Sequence, residues 1–256
     1  MNAFSLNDEV ALITGGSSGL GLATARAMAE AGATVLLTGR REKLLEEAVA
    51  GIGGLGVGRA HALVHDAADL ASAPELLERA VRAVGRAPTI LVNNAGINMK
   101  KPAAETTDEE FARIHQTNTA AAFALSRTFG KPMLEARHGS ILFIASMASL
   151  FGIPGVVAYS SSKSAMLGLV RTLAVEFSPA RVRVNAIAPG WIETAMSKAA
   201  FANDPKRAEK ILSRTPLQRL GQAEDVALAA VYLSSAAAKF VTGVCLPVDG
   251  GISIGF

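Results

Sequence analysis

Tyr159-Ser160-Ser161-Ser162-Lys163 sets a phenol and an ammonium four residues apart, and a helix through this stretch stacks them on one face. That pairing suits acid–base chemistry. A free tyrosine titrates near pH 10 and shuttles protons poorly at neutrality; a fixed positive charge beside it favours the phenolate and lowers that value. Ser146 lies thirteen residues upstream, after the apolar run Ile141-Leu142-Phe143-Ile144-Ala145. Such a place puts its hydroxyl at a strand's carboxyl end, where α/β sheets hold ligands. A Tyr-x-x-x-Lys pair alone also occurs by chance on surface helices, so the weight falls on independent signals at compatible places.

The elements that must position these groups supply those signals. Residues 9–13 read as a buried strand, 14–21 as a glycine-rich turn, about 20–30 as an Ala-rich helix stopping at Gly32, and 34–38 as the next strand. In this βαβ setting, Thr14-Gly15-Gly16-Ser17-Ser18-Gly19-Leu20-Gly21 offers backbone amides and a helix N-terminus to a pyrophosphate. Gly39-Arg40-Arg41 follows the second strand without a carboxylate. Arginine there accommodates a 2′-phosphate, whereas an acidic residue would hold a free ribose 2′-hydroxyl, so NADP(H) is favoured over NAD(H). Asp66, with Ala67 beside it, reads either as a partner for an adenine amino group or as an ordinary loop carboxylate. Asn93-Asn94-Ala95-Gly96 ends the fourth strand, where amides and small residues can line a cofactor trough.

The alternation continues with helices at 41–50, 72–84, 109–135, 159–177 and 223–234 and strands at 60–65, 89–92, 140–145, 183–188 and 244–248. Gly130 and Pro132 are expected to disturb the last turns of the 109–135 helix. Residues 192–214 read as a mixed, mobile substrate segment. Repeated βα units imply a doubly wound parallel sheet with right-handed crossovers, and no linker or repeat divides the chain, so 1–256 reads as one α/β domain.

Composition narrows the class. Half of the 256 residues are hydrophobic but only 5% aromatic, which suits helices packed closely on a buried parallel sheet. The net charge of +3 is spread along the chain, giving a nucleic-acid role little support. Cys245 is the single cysteine, which excludes an internal disulfide and fits a reducing compartment. His61 and His65 sit about 13 Å apart on a strand, too far to share a metal ion, and no metal site is expected. The first residues lack a basic-then-apolar leader, and no apolar run reaches a membrane span of about 18 residues. The expectation is a soluble cytoplasmic protein without nucleic-acid or membrane partners.

Taken together these motifs resemble the short-chain dehydrogenase/reductase family in its form of about 250 residues, over nearly the whole chain. The resemblance rests on the 14–21 turn, Asn93-Asn94-Ala95-Gly96, Ser146, Tyr159-x-x-x-Lys163 and Asn185-x-x-x-Pro189-Gly190. Asn118 matches the family's helix asparagine, Thr194 the residue holding the nicotinamide amide, and Val248-Asp249-Gly250-Gly251 the C-terminal signature. The resemblance implies a Rossmann-type fold and a nicotinamide site that includes Pro189, Gly190, Ile192 and Thr194 besides the glycine turn. It implies that Tyr159 is the acid/base, that Ser146 bonds the substrate oxygen, and that Lys163 lowers the Tyr159 pKa and holds the ribose hydroxyls. Asn118 would fix a water linking Lys163 to solvent. It also implies a homo-oligomer, tetramer or dimer.

The substrate is a small carbonyl or alcohol: a 3-oxoacyl thioester, a sugar acid or another ketone. A pocket drawing on Ile97, Met99, Phe151, Trp191, Met196 and Phe201 is mainly apolar and shows no carboxylate clamp in the sequence. Lys100-Lys101 reads as a solvated loop, with attraction of an anionic substrate as the alternative. Arg137-His138-Gly139 resembles the turn by which 3-oxoacyl carrier-protein reductases dock their acidic carrier, but the second docking arginine is replaced by Ala180, with Arg181 adjacent. An NAD(H)-dependent member of the family, a cofactor-binding regulator without catalysis and a structural partner in a hetero-oligomer are the competing readings. The intact Ser146, Tyr159, Lys163 and Asn118 set argues against the regulator, and contacts with other subunits are compatible with catalysis and do not replace it.

Overall fold

Five consecutive buried residues, Val10–Thr14, make β1 a strand covered on both faces, as a parallel interior strand must be. In this computed structural model, residues 2–54, 59–193 and 205–255 are described, the side chains of 205–208 excepted. The other strands are β2 (Thr34–Gly39), β3 (Arg59–Val64), β4 (Ile90–Asn93), β5 (Gly139–Ile144), β6 (Val182–Pro189) and β7 (Cys245–Val248). They form one parallel sheet in the order β3-β2-β1-β4-β5-β6-β7. The order reverses between β1 and β4, which opens a crevice at the carboxyl ends of those strands.

Eight α-helices are described: α1 (Gly19–Glu30), α2 (Glu42–Gly53), α3 (Ala73–Val84), α4 (Asp108–His115), α5 (Ala121–Ala136), α6 (Val157–Phe177), α7 (Pro205–Ser213) and α8 (Ala223–Ser234). The period of two along each strand divides the core into two layers. Val10 and Leu12 join Phe129, Met166 and Phe177 on the α3, α5 and α6 side. Ala11 and Ile13 join Met28, Leu45 and Val226 on the α1, α2 and α8 side. Small residues permit the closest of these approaches: a Cβ on Gly130 would stand 2.7 Å from Phe177 Cε2.

Two expectations are corrected. The 109–135 stretch is not one helix, because five residues of π-helix, Gln116–Ala120, separate α4 from α5. Nor do Gly130 and Pro132 disturb its end: α5 continues through Pro132 to Ala136 and stops at Arg137, whose φ is 52°. Gly130 is the point at which Phe177 packs on α5, and that packing outweighs weak local helix propensity. Within 192–214, residues 194–204 lie outside the described residues and Pro205–Ser213 is helical.

Candidate active site

The glycine turn after β1 is shaped by contacts as much as by φ. Gly15 and Gly19 have φ of +64° and +54°, values that glycine adopts without a Cβ penalty. A Cβ on Gly21 would run into the Gly15 carbonyl. Asn94 Nδ2 donates to Thr14 O at 2.7 Å and Gly15 O at 3.3 Å, and Thr14 Oγ1 accepts from the amides of Asn94 and Ala95 at 2.9 Å. The ends of β1 and β4 are thereby clamped together at the sheet's reversal.

Beside this clamp lies a cleft of about 660 Å³ lined by Gly15, Ser17, Ser18, Leu20, Gly21, Arg40, Asp66, Ala67, Ala95 and Gly96. These are ten of the expected cofactor residues. Gly19 sits within the same turn. The cleft also takes in Asn94, read with its neighbours as a trough residue, Ile97, expected at the substrate, and Arg41, His65, Arg113 and Thr117, to which the sequence reading gave no cofactor role. Arg41 adjoins Arg40 and could have been read from the same signal; Arg113 and Thr117 arrive from α4 and the π-turn, which no local motif marks. Asp66 is the one carboxylate in the lining, and its Oδ1 already accepts from Ala68 N at 3.0 Å. Burial, reinforced by the Arg79 charge, lowers the His65 pKa and keeps its ring neutral near physiological pH. A glycine cradle, a helix N-terminus and exposed arginines around an elongated cleft fit a nicotinamide dinucleotide.

Asn93 corrects the expectation for its position. It is 2% exposed and its Nδ2 donates to Ser126 Oγ on α5 at 3.0 Å, so it faces away from the cleft that Asn94 lines. Strand alternation decides between the two asparagines. Pro189, Gly190 and Ile192 do not line the cleft; they close the carboxyl end of β6, where a Cβ on Gly190 would stand 2.6 Å from Asp249 Cα and Ile192 bridges to Gly221. Thr194, Met196 and Phe201 lie outside the described residues.

The reactive groups gather at the end of β5. Ser146 is 8% exposed, and its Oγ accepts from Ala148 N at 3.1 Å, which leaves its proton free to donate. Tyr159 lies in the first turn of α6, and burial raises its pKa while the neighbouring Ser146 hydroxyl opposes that rise. Lys163, one turn on, is 4% exposed; its ammonium donates to Ile144 O at 2.6 Å and lies 5.8 Å from the Tyr159 ring centroid. Burial lowers its pKa to about 8. The expected lowering of Tyr159 by Lys163 is therefore not what this arrangement produces: desolvation of the phenol dominates, and the ammonium is engaged by a backbone carbonyl.

Asn118 is fully buried in the π-turn. Its Oδ1 accepts from Ile97 N at 2.8 Å, and its Nδ2 donates to Ile97 O at 3.0 Å and Ser162 Oγ at 3.0 Å. The side chain thus ties the segment after β4 to α6. A Cβ on Gly96 would lie 3.2 Å from Asn118 Oδ1 and 3.4 Å from Lys163 Nζ, so both groups crowd one bare backbone position. A phenol held protonated beside a hydroxyl donor is equipped to deliver a proton to a carbonyl oxygen and to stabilise charge developing on it.

Residues 15–253 match the family model described as enoyl-(acyl carrier protein) reductase. The chain is 39% identical over 252 residues to 2-dehydro-3-deoxy-D-gluconate 5-dehydrogenase of Bacillus subtilis (strain 168), covering 98% of this chain and 96% of that one. It is 35% identical over 250 residues to the 3-oxoacyl-(acyl-carrier-protein) reductase of Thermotoga maritima, covering 97% and 99%. The crystal structure of a gluconate 5-dehydrogenase from Burkholderia cenocepacia J2315 in complex with NADP and tartrate superposes with a TM-score of 0.93 at 30% identity, covering 100% of this chain and 99% of that one. The intervals between the glycine turn, Ser146, Tyr159 and Lys163 thus stand within a fold shared along the whole chain, which is an oxidoreductase of the short-chain dehydrogenase/reductase family.

Proposed function

We propose that the chain is an NADP(H)-dependent oxidoreductase that interconverts a secondary alcohol and its ketone, with Ser146, Tyr159, Lys163 and Asn118 as its working set. The observation that carries this reading is the meeting of Ser146 and Tyr159 at the end of β5, with Lys163 buried one turn along α6. The nicotinamide, when bound, supplies or accepts the hydride. Tyr159 Oη gives its proton to the carbonyl oxygen in reduction and takes it back in oxidation. Ser146 donates a hydrogen bond to that same oxygen. Lys163 keeps positive charge beneath the phenol, which favours the phenolate that remains after proton transfer. Asn118 is a positioning residue: by holding Ile97 and Ser162 it fixes the spacing between the end of β4 and α6.

The preference for NADP(H) is supported by Arg40 and Arg41, exposed in the cleft wall after β2, where no carboxylate stands. The structural relative with NADP supports it further. The names of relatives offer sugar acids and 3-oxoacyl thioesters as substrate classes. A homo-oligomer, tetramer or dimer, is supported by Phe111, Phe123 and Val157, exposed on α4, α5 and α6. Among the described residues no helix is long and apolar enough to cross a membrane, and we propose a cytoplasmic location.

Tyr159→Phe tests the reading. The variant is expected to bind NADPH within about threefold of the parent while losing roughly 10²–10⁴ in turnover, the usual worth of a positioned acid/base. Turnover within about tenfold of the parent would overturn the assignment.

A further inference from the structure

A second cavity, of about 730 Å³, opens past the carboxyl ends of β5 and β6. Phe151 lies five residues beyond Ser146 and Trp191 two beyond Pro189, so two of its lining residues follow closely on the ends of β5 and β6. Three cations from two segments line it: Lys100 from the stretch after β4, and Lys210 and Arg214 from the last turn of α7 and the residue that follows it. Among the described residues no carboxylate lines it and none of the three cations is ion-paired. Lys101 shows the contrast, since it is committed to Glu110 at 2.8 Å. Of the two lysines adjacent in the sequence, only Lys101 has an ion-pair partner among the described residues.

We propose that this cavity is the substrate-recognition end of the active site and binds a carboxylate carried by the substrate itself, several bonds from the reacting carbon. The proposal rests on the oxidoreductase reading and deepens it. Each cation is exposed and alone would contribute little, but three around one cavity, with no carboxylate among its described lining residues, make a field that an anion relieves. Phe151, Ile153 and Trp191 give the rest of the wall apolar faces, against which the C–H groups of a polyhydroxy chain can pack. A short hydroxy or oxo acid matches both halves. A neutral ketone would leave the cations unused. A carrier-bound thioester holds its phosphate at the far end of a long arm, outside such a cavity.

Trp191 is the only tryptophan in the chain, so its fluorescence reads the cavity without any need for turnover. The enzyme saturated with NADP+ is titrated with D-gluconate, with glucitol, which replaces the carboxylate by a hydroxymethyl group, and with inorganic phosphate. Gluconate is expected to bind at least about tenfold more tightly than glucitol, with a preference that shrinks as salt is raised. Lys210→Gln with Arg214→Gln is expected to weaken gluconate binding about tenfold and to erase the preference. Equal binding of gluconate and glucitol by the parent enzyme overturns the proposal, and so does a double variant that keeps the preference. Phosphate binding as tightly as gluconate overturns it too, in favour of a phosphate-bearing ligand. Failure of the oxidoreductase reading would appear instead as Tyr159→Phe keeping its turnover, a result that leaves this titration unaffected.

Discussion

Lys163→Met is expected to make the protein more stable at neutral pH while abolishing turnover, and the size of the gain is expected to depend on pH. The Lys163 pKa falls from 10.5 to about 8 through burial, so the folded state disfavours the ammonium that the unfolded chain carries freely. Each unit of such a shift corresponds to about 1.4 kcal/mol. Below pH 8 both states are protonated and the folded state bears the whole cost, about 3 kcal/mol. As pH rises from about 8 towards 10.5 the folded protein sheds its proton first, and the cost fades. The parent therefore gains stability across that window, and a variant without the amine does not.

Urea unfolding of both proteins at pH 7 and at pH 10 isolates this effect. Changes that do not depend on pH, including the lost hydrogen bond to Ile144 O and the altered packing beside Met166, contribute equally at both pH values and cancel from the difference. Titration of groups remote from Lys163 cancels between parent and variant, and carrying Tyr159→Phe in both removes the neighbouring phenol, whose titration would respond to the ammonium. The stability advantage of Lys163→Met should shrink by roughly 2–3 kcal/mol between the two pH values. A shrinkage below about 1 kcal/mol, or growth of the advantage, would refute the claim that the amine is buried at a cost in the folded protein.

Arg40→Ser should raise KM for NADPH by about 10- to 100-fold, the worth of a hydrogen bond to a charged group, and leave KM for NADH within about twofold; steady-state assays with the two cofactors separate the outcomes. Gly21→Ala forces a methyl against the Gly15 carbonyl, and because overpacking costs about 1–3 kcal/mol the glycine turn should shift and NADPH affinity fall by about tenfold or more, measurable by equilibrium titration.

What could be read in the sequence was whatever is set by short spacing. Ser146, Tyr159 and Lys163 are brought together by one strand end and one helix turn, and the glycine turn is encoded within eight residues. Asn93 and Asn94 could not be told apart, because which of two adjacent strand residues faces the cleft is fixed by the sheet and by Ser126 on α5, 33 positions away. The π-turn around Asn118 has no sequence signal of its own, since its side chain satisfies both backbone groups of Ile97, 21 positions upstream. The cationic wall was hidden for the same reason. Lys100, Lys210 and Arg214 are unremarkable where they stand in the chain and acquire meaning only as residues that line one cavity.

Gly96 shows how function and stability are reconciled at this site. Read locally, the glycine of Asn94-Ala95-Gly96 is a small residue lining a trough, and it does line the cleft. The structure gives it a second task, because any side chain there would press on Asn118 Oδ1 and Lys163 Nζ together. A buried ammonium needs its donors satisfied or its proton removed, and backbone oxygens serve where no carboxylate is at hand. Ile144 O does this from β5, while Asn118 holds Ile97 and Ser162 so that the pocket around the amine keeps its shape. A carboxylate in that pocket would return the Lys163 pKa towards its ordinary value. The fold thus bears the cost of a buried lysine that a backbone carbonyl, and not a carboxylate, receives.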